Sequence, residues 1–181
     1  GRLDPNLKEQ GITGLIHGAK MEEEVWKEFY DNPERLAFES EKIIAKLSNQ
    51  SIEESVAISM DNLPKGIERA VVIRQRVNQS FFRSAVMSAY NFKCCISGIS
   101  APQLVEACHI VDWSEYPNHR TNPKNGLCMN PFFHKAYDKY LIAITPDKTI
   151  IVSEELLQSA TEKSFFDYLK EINGRKMLLP D

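Results

Sequence analysis

The texture of the chain changes at Cys94. Ahead of that residue, apolar side chains recur at the helical period; after it, the chain breaks into short segments separated by turn residues. This asymmetry predicts an α+β fold, with a mostly helical N-terminal part and small strands later. Met21 to Tyr30 and Asn32 to Leu47 read as helices, and Asp31-Asn32-Pro33 is a start signal for the second. A turn cluster at Asn62-Leu63-Pro64-Lys65-Gly66 suggests a division into an acidic helical region, 1–64, and a second domain, 65–181. A long helix then runs from Ile67 to about Tyr90, with Val77, Phe81, Phe82, Ala85, Val86 and Ala89 on its inward side.

Beyond Cys94 the expectations are a turn at 97–102, an apolar run Leu104 to Ile110, a polar loop from Ser114 to Asn125 and a segment Phe132 to Tyr140. Ile142 to Ile144 and Thr149 to Val152 flank Thr145-Pro146-Asp147-Lys148 as a β-hairpin, within 141–153. A closing helix, 160–172, is amphipathic through Phe165, Phe166, Tyr168 and Leu169.

Charge is unevenly spread. The net charge is −3, yet residues 65–93 hold 6 basic and 1 acidic side chains, while residues 1–64 hold 7 and 13. Arg69, Arg76 and Arg83 recur every seven residues on one side of the long helix, with Gln79 beside them. They form either a solvated polar face or a phosphate-facing ridge with few acids to neutralise it. Asn78 projects toward the apolar side, where an amide needs partners. No apolar run approaches the ~20 residues that cross a bilayer, which argues for a cytoplasmic protein without a membrane partner. Four cysteines, two of them adjacent, do not make a disulfide framework. The opening Gly1-Arg2-Leu3-Asp4-Pro5 lacks an initiator methionine, so an upstream domain could be missing.

Three pieces carry chemistry, in order: Glu106-Ala107-Cys108-His109-Ile110-Val111, Asn122-Pro123-Lys124-Asn125-Gly126-Leu127-Cys128 and His134-Lys135-Ala136-Tyr137-Asp138. His134 and Asp138 stand four apart in a helical stretch, which places their Cβ atoms about 5–6 Å apart on one face. Such a pair makes either a surface hydrogen bond or half of a divalent-cation site, with an imidazole nitrogen and a carboxylate oxygen as donors.

With Cys94-Cys95-Ile96-Ser97-Gly98 and Arg76-Val77-Asn78-Gln79, these pieces resemble the HNH endonucleases, the ββα-metal fold, in particular those of bacterial restriction type. The resemblance is best over residues 76–155. It implies a ββα-metal core at about 94–140, extended by the hairpin and the C-terminal helix. It further implies hydrolysis of DNA phosphodiesters, with His109 as general base and Asn125 holding the loop and orienting His109. His134 and Asp138 would bind one divalent ion, Mg2+ first and Mn2+ or Zn2+ as alternatives. Arg76, Gln79, Arg83, Arg120 and Lys135 would contact DNA, and a homodimer is the analogy for cutting both strands. A neutral imidazole can accept a proton near pH 7, and a metal ion can stabilise charge on the scissile phosphate.

This chain departs from the family pattern at two positions. Cys108 stands where many relatives carry an acidic residue or a histidine, and is either a buried structural thiol or a ligand for a softer ion such as zinc. Phe133, just before His134, cannot ligate. Two other readings therefore stand beside the nuclease: a catalytically weakened DNA-binding or regulatory module, and a scaffold or toxin-type protein whose acidic residues 1–64 meet a partner.

Overall fold

A computed structural model describes residues 9–11, 20–58, 66–111 and 119–180. The fold is α+β: the described residues form seven α-helices and two antiparallel two-stranded sheets. Its contacts divide the chain into two units, Gly1–Asn78 and Gln79–Asp181. Most of the expected turn at 62–66 lies outside the described residues, as does the start of the expected polar loop, 114–118. No described helix is long and apolar enough to cross a membrane.

The first unit follows its local signals. Helix α1 is Lys20–Phe29 and α2 is Pro33–Leu47. Asn32 caps α2 by accepting the Arg35 amide at 3.1 Å, and Pro33 fills the first turn, where its missing N–H costs nothing. The short helix α3, Ile52–Ser55, starts on a capping box in which Ser51 and Glu54 bond each other's backbone amides. Ser55 donates to the buried carboxylate of Glu41, tying α3 to α2. Helix α4, Ile67–Ala89, belongs to this unit through Asn78. Of the two readings of the arginine face, the un-neutralised ridge does not hold at Arg69, because its guanidinium pairs with Glu53 at 2.5 Å. Sixteen residues separate the two, so the pairing was invisible to helical periodicity. Asn78 is buried, and its Oδ1 has no hydrogen-bond partner among the described residues.

The second unit is built on the end of α4. Phe82, Val86, Met87 and Tyr90 pack with Cys94, Cys95 and Ile96 into a continuous core. Strand β1, Glu106–His109, pairs antiparallel with β2, Gly126–Met129, in a register that sets Cys108 opposite Leu127 and His109 opposite Gly126. Gly126 is required by proximity, since a Cβ there would lie 2.2 Å from Cγ2 of Val86 and 3.0 Å from Cζ of Phe82. The glycine thus lets α4 press directly on the sheet.

Helix α5, Pro131–Asp138, is capped by the Asn130 side chain, which accepts the Phe133 amide at 2.9 Å. Phe133 is 2% exposed and packs edge-on to Phe132, so its ring anchors α5; burying a ring of that size contributes about 2–3 kcal/mol. The expected hairpin forms as β3, Ile142–Ile144, and β4, Ile150–Val152. The closing helical region is divided into α6, Glu154–Ser159, and α7, Lys163–Ile172, and α7 buries Leu169 and Ile172. The C-terminal segment then crosses back, with Arg175 bonded to the Ile96 carbonyl at 2.5 Å and the Leu178 amide donating to the Cys95 carbonyl at 2.8 Å.

Candidate functional site

Strand geometry divides β1 between two tasks. Glu106 and Cys108 share one face and Ala107 and His109 the other, because side chains alternate along a strand.

On the first face, Cys108 of β1 meets His134 and Asp138 of α5. One donor atom from each of these three residues lies within 4.8 Å of the others, and no other such group of three occurs among the described residues. His134 and Asp138 sit one helical turn apart, with Nε2 and Oδ2 separated by 3.6 Å. Glu106 lies behind them, its Oε1 only 2.6 Å from Nδ1 of His134. An ionised carboxylate can only accept, so Nδ1 carries a hydrogen, and Nε2 is the ring nitrogen that faces Asp138. The Cys108 thiol is fully buried, and burial, with the nearby charges of Asp138 and Glu106, pushes its pKa up to about 12. A sulfur, a nitrogen and an oxygen donor beside a second carboxylate fit a divalent cation chemically: negative charge converges here with no basic side chain in the group. Phe133 points into the core, which leaves His134 as the histidine facing β1.

On the other face, the His109 ring meets Phe82 and the Arg120 carbonyl. Its ring stacks on Phe82 with centroids 3.7 Å apart and planes within 9°. Its Nε2 lies 3.2 Å from the carbonyl oxygen of Arg120. A carbonyl only accepts, so Nε2 carries a hydrogen. Asn125 fixes the loop that supplies that carbonyl. Its Oδ1 accepts the Val111 amide at 2.9 Å, and its Nδ2 donates to the carbonyls of Val111 at 3.2 Å and His119 at 3.3 Å. One buried amide thus ties Val111 to His119, the residue just before His109's partner.

The two faces converge at a cleft of about 500 Å³, lined by His109 and Asp138 together with Lys135, Lys139, Tyr140 and Ile144. A second cleft of about 580 Å³ adjoins it through Ile110, Tyr137 and Ile144, and carries Lys124 and Lys148. None of these four lysines joins an ion pair among the described residues. Lysines left without counter-charges around a cleft favour an anionic ligand.

The structure therefore brings Cys108, His134 and Asp138 into one cluster, and His109 and Lys135 into one cleft. Arg120 meets His109 through its backbone. Gln79 and Arg83 line neither cleft; Arg83 is exposed and reaches the Val105 carbonyl at 3.5 Å. Arg76 is exposed in the first unit. Sequence reasoning missed Glu106, which a period-two reading of β1 would have placed beside Cys108, and Lys139, one residue past the motif. It also read Phe82 as core alone, whereas its ring is the platform for His109 as well.

Residues 94–145 match the family model described as HNH endonuclease. No curated protein matches the chain.

Proposed function

We propose that this chain is a metal-dependent DNA endonuclease of restriction or defence type. The observation that carries the reading is the shared cleft, where the imidazole of His109 and the carboxylate of Asp138 line one space bordered by Lys135 and Lys139.

In the proposed reaction, Nδ1 of His109 accepts a proton from water as the water oxygen attacks phosphorus. The bond from phosphorus to the 3′ oxygen breaks, leaving a 5′-phosphate and, after protonation from solvent, a 3′-hydroxyl. Arg120 and Asn125 hold the imidazole in the tautomer and orientation this step needs. Phe82 keeps the ring from rotating. Lys135 and Lys139 position the phosphate backbone by charge. His134 and Asp138, oriented by Glu106, would hold a divalent ion, which when bound supplies Lewis-acid stabilisation of the pentacoordinate phosphorus and the leaving oxygen.

The test is nicking of supercoiled plasmid by the purified chain in Mg2+, Mn2+, Zn2+ or EDTA, beside His109→Ala and His134→Ala variants whose folding is checked by circular dichroism. Metal-dependent nicking lost in both variants is the expected result. DNA binding without cleavage in any ion would replace the nuclease with a catalytically silent DNA-binding module.

A further inference from the structure

We infer that Cys108 is a thiolate ligand, and that the Cys108, His134 and Asp138 group takes a zinc-class ion, Zn2+ or Co2+, in preference to Mg2+. The inference rests on reading this triad as the metal site of the proposed nuclease, but it concerns the choice of ion and is tested without cleavage.

Three observations carry it. The donor set comes first. Mg2+ demands near-octahedral coordination by oxygen, and these three residues contribute a single carboxylate group beside a nitrogen and a sulfur. Sulfur and imidazole donors together are the signature of a softer, tetrahedral ion.

The spacing agrees. Bonds of about 2.0–2.3 Å in a tetrahedron put neighbouring donor atoms roughly 3.5 Å apart. His134 Nε2 and Asp138 Oδ2 stand 3.6 Å apart, and all three donors lie within 4.8 Å.

The surroundings also agree. Glu106 accepts from Nδ1 of His134 at 2.6 Å, the carboxylate–histidine arrangement that turns the other ring nitrogen into an oriented ligand. Cys108 is buried, His134 half-buried and Asp138 exposed on the cleft, so the three donors run outward from the core and leave a fourth position on the solvent side. That is the form of a reactive zinc site and not of a closed structural one. The bland alternative is a thiol that merely fills space and donates weakly to the His109 carbonyl at 3.5 Å. It does not account for a histidine and two carboxylates arranged around that sulfur.

Binding is a proton exchange: the Cys108 S–H bond breaks, its proton passes to solvent, and the electron pair left on sulfur forms the bond to the ion. The experiment is titration of the EDTA-stripped full chain with Co2+, followed by absorbance and proton release. Expected are a near-ultraviolet thiolate-to-cobalt band, visible bands of four-coordinate cobalt and one proton released per ion. Zn2+ should bleach the spectrum stoichiometrically, and a large excess of Mg2+ should not. Cys108→Ser, folded by circular dichroism, should lose the near-ultraviolet band and weaken Co2+ binding on the order of 100-fold.

A cobalt complex without the near-ultraviolet band, the same band in Cys108→Ser, or displacement by Mg2+ at concentrations comparable to Co2+ would each overturn the inference. The wild-type spectrum decides alone if Cys108→Ser does not fold. Mg2+-supported plasmid nicking beside such a result would leave the nuclease standing, whereas a chain that binds no divalent ion would overturn both.

Discussion

The imidazole of His109 lies flat on the ring of Phe82, with centroids 3.7 Å apart and planes 9° from parallel. Phe82 comes from α4 and His109 from the end of β1, so the orientation of the candidate base depends on how closely helix and sheet approach each other. Phe82→Leu keeps an apolar side chain in the core but removes the flat platform. It should cost about 1 kcal/mol of stability, and plasmid nicking should fall about 10-fold because the ring can now leave its productive orientation. Thermal melting and nicking rates measured together check this, and an unchanged rate would remove Phe82 from the site.

Glu106 should act through His134 and not on the substrate. Glu106→Ala is expected to weaken divalent-ion affinity by about 10- to 100-fold, the usual cost of losing the carboxylate behind a metal-binding histidine. Titration calorimetry reads this directly. Affinity equal to that of the unaltered chain would leave the 2.6 Å contact as a surface ion pair.

Gly126 makes a purely steric prediction. Gly126→Ala places a methyl 2.2 Å from Val86 Cγ2, and should destabilise the second unit by about 3 kcal/mol or more through overpacking. The melting temperature should drop accordingly; no drop would mean that α4 and β2 leave room for a methyl between them.

The buried thiols predict a loss of stability in alkali. Burial, with Cys94 nearby, pushes Cys128 up to about 11, and burial also raises Cys95. Unfolded thiols ionise near pH ~8.5. Above that pH the unfolded chain releases protons that the folded chain retains, so stability falls as pH rises toward 11, by up to about 1.4 kcal/mol per unit for each such thiol. Melting of the metal-free chain across this range should show a shallower decline in Cys128→Ala, and identical slopes would refute the assignment.

Lys135 and Lys139 should set affinity for the nucleic-acid backbone. Replacing both with alanine is expected to reduce the slope of log binding constant against log salt by about 2, one for each phosphate that no longer meets a lysine. Fluorescence anisotropy across a salt series, with EDTA present to prevent cleavage, provides the measurement. An unchanged slope would place the phosphates elsewhere.

What could be read along the chain was whatever depends on near neighbours. Asn32 before Pro33 marks a helix start because a cap bonds amides two or three residues away. The four-residue spacing of His134 and Asp138 put them on one face of α5 because helical geometry is local.

The partnerships between distant segments were decided by tertiary structure alone. Glu106 and His134 are 28 residues apart and meet only because the β1–β2 register and the seating of α5 bring them together. Arg69 stood on a face that could be solvated or phosphate-facing, until folding set Glu53 beside it. His109 stacks on Phe82 only because a glycine at 126 leaves no Cβ to hold the helix away. The amino-acid order by itself determined the elements and the chemical inventory, since propensity, capping and periodicity act over a few residues. Packing decided which of those groups face one another, because that choice rests on the simultaneous burial of many side chains and on backbone approaches that no local pattern encodes.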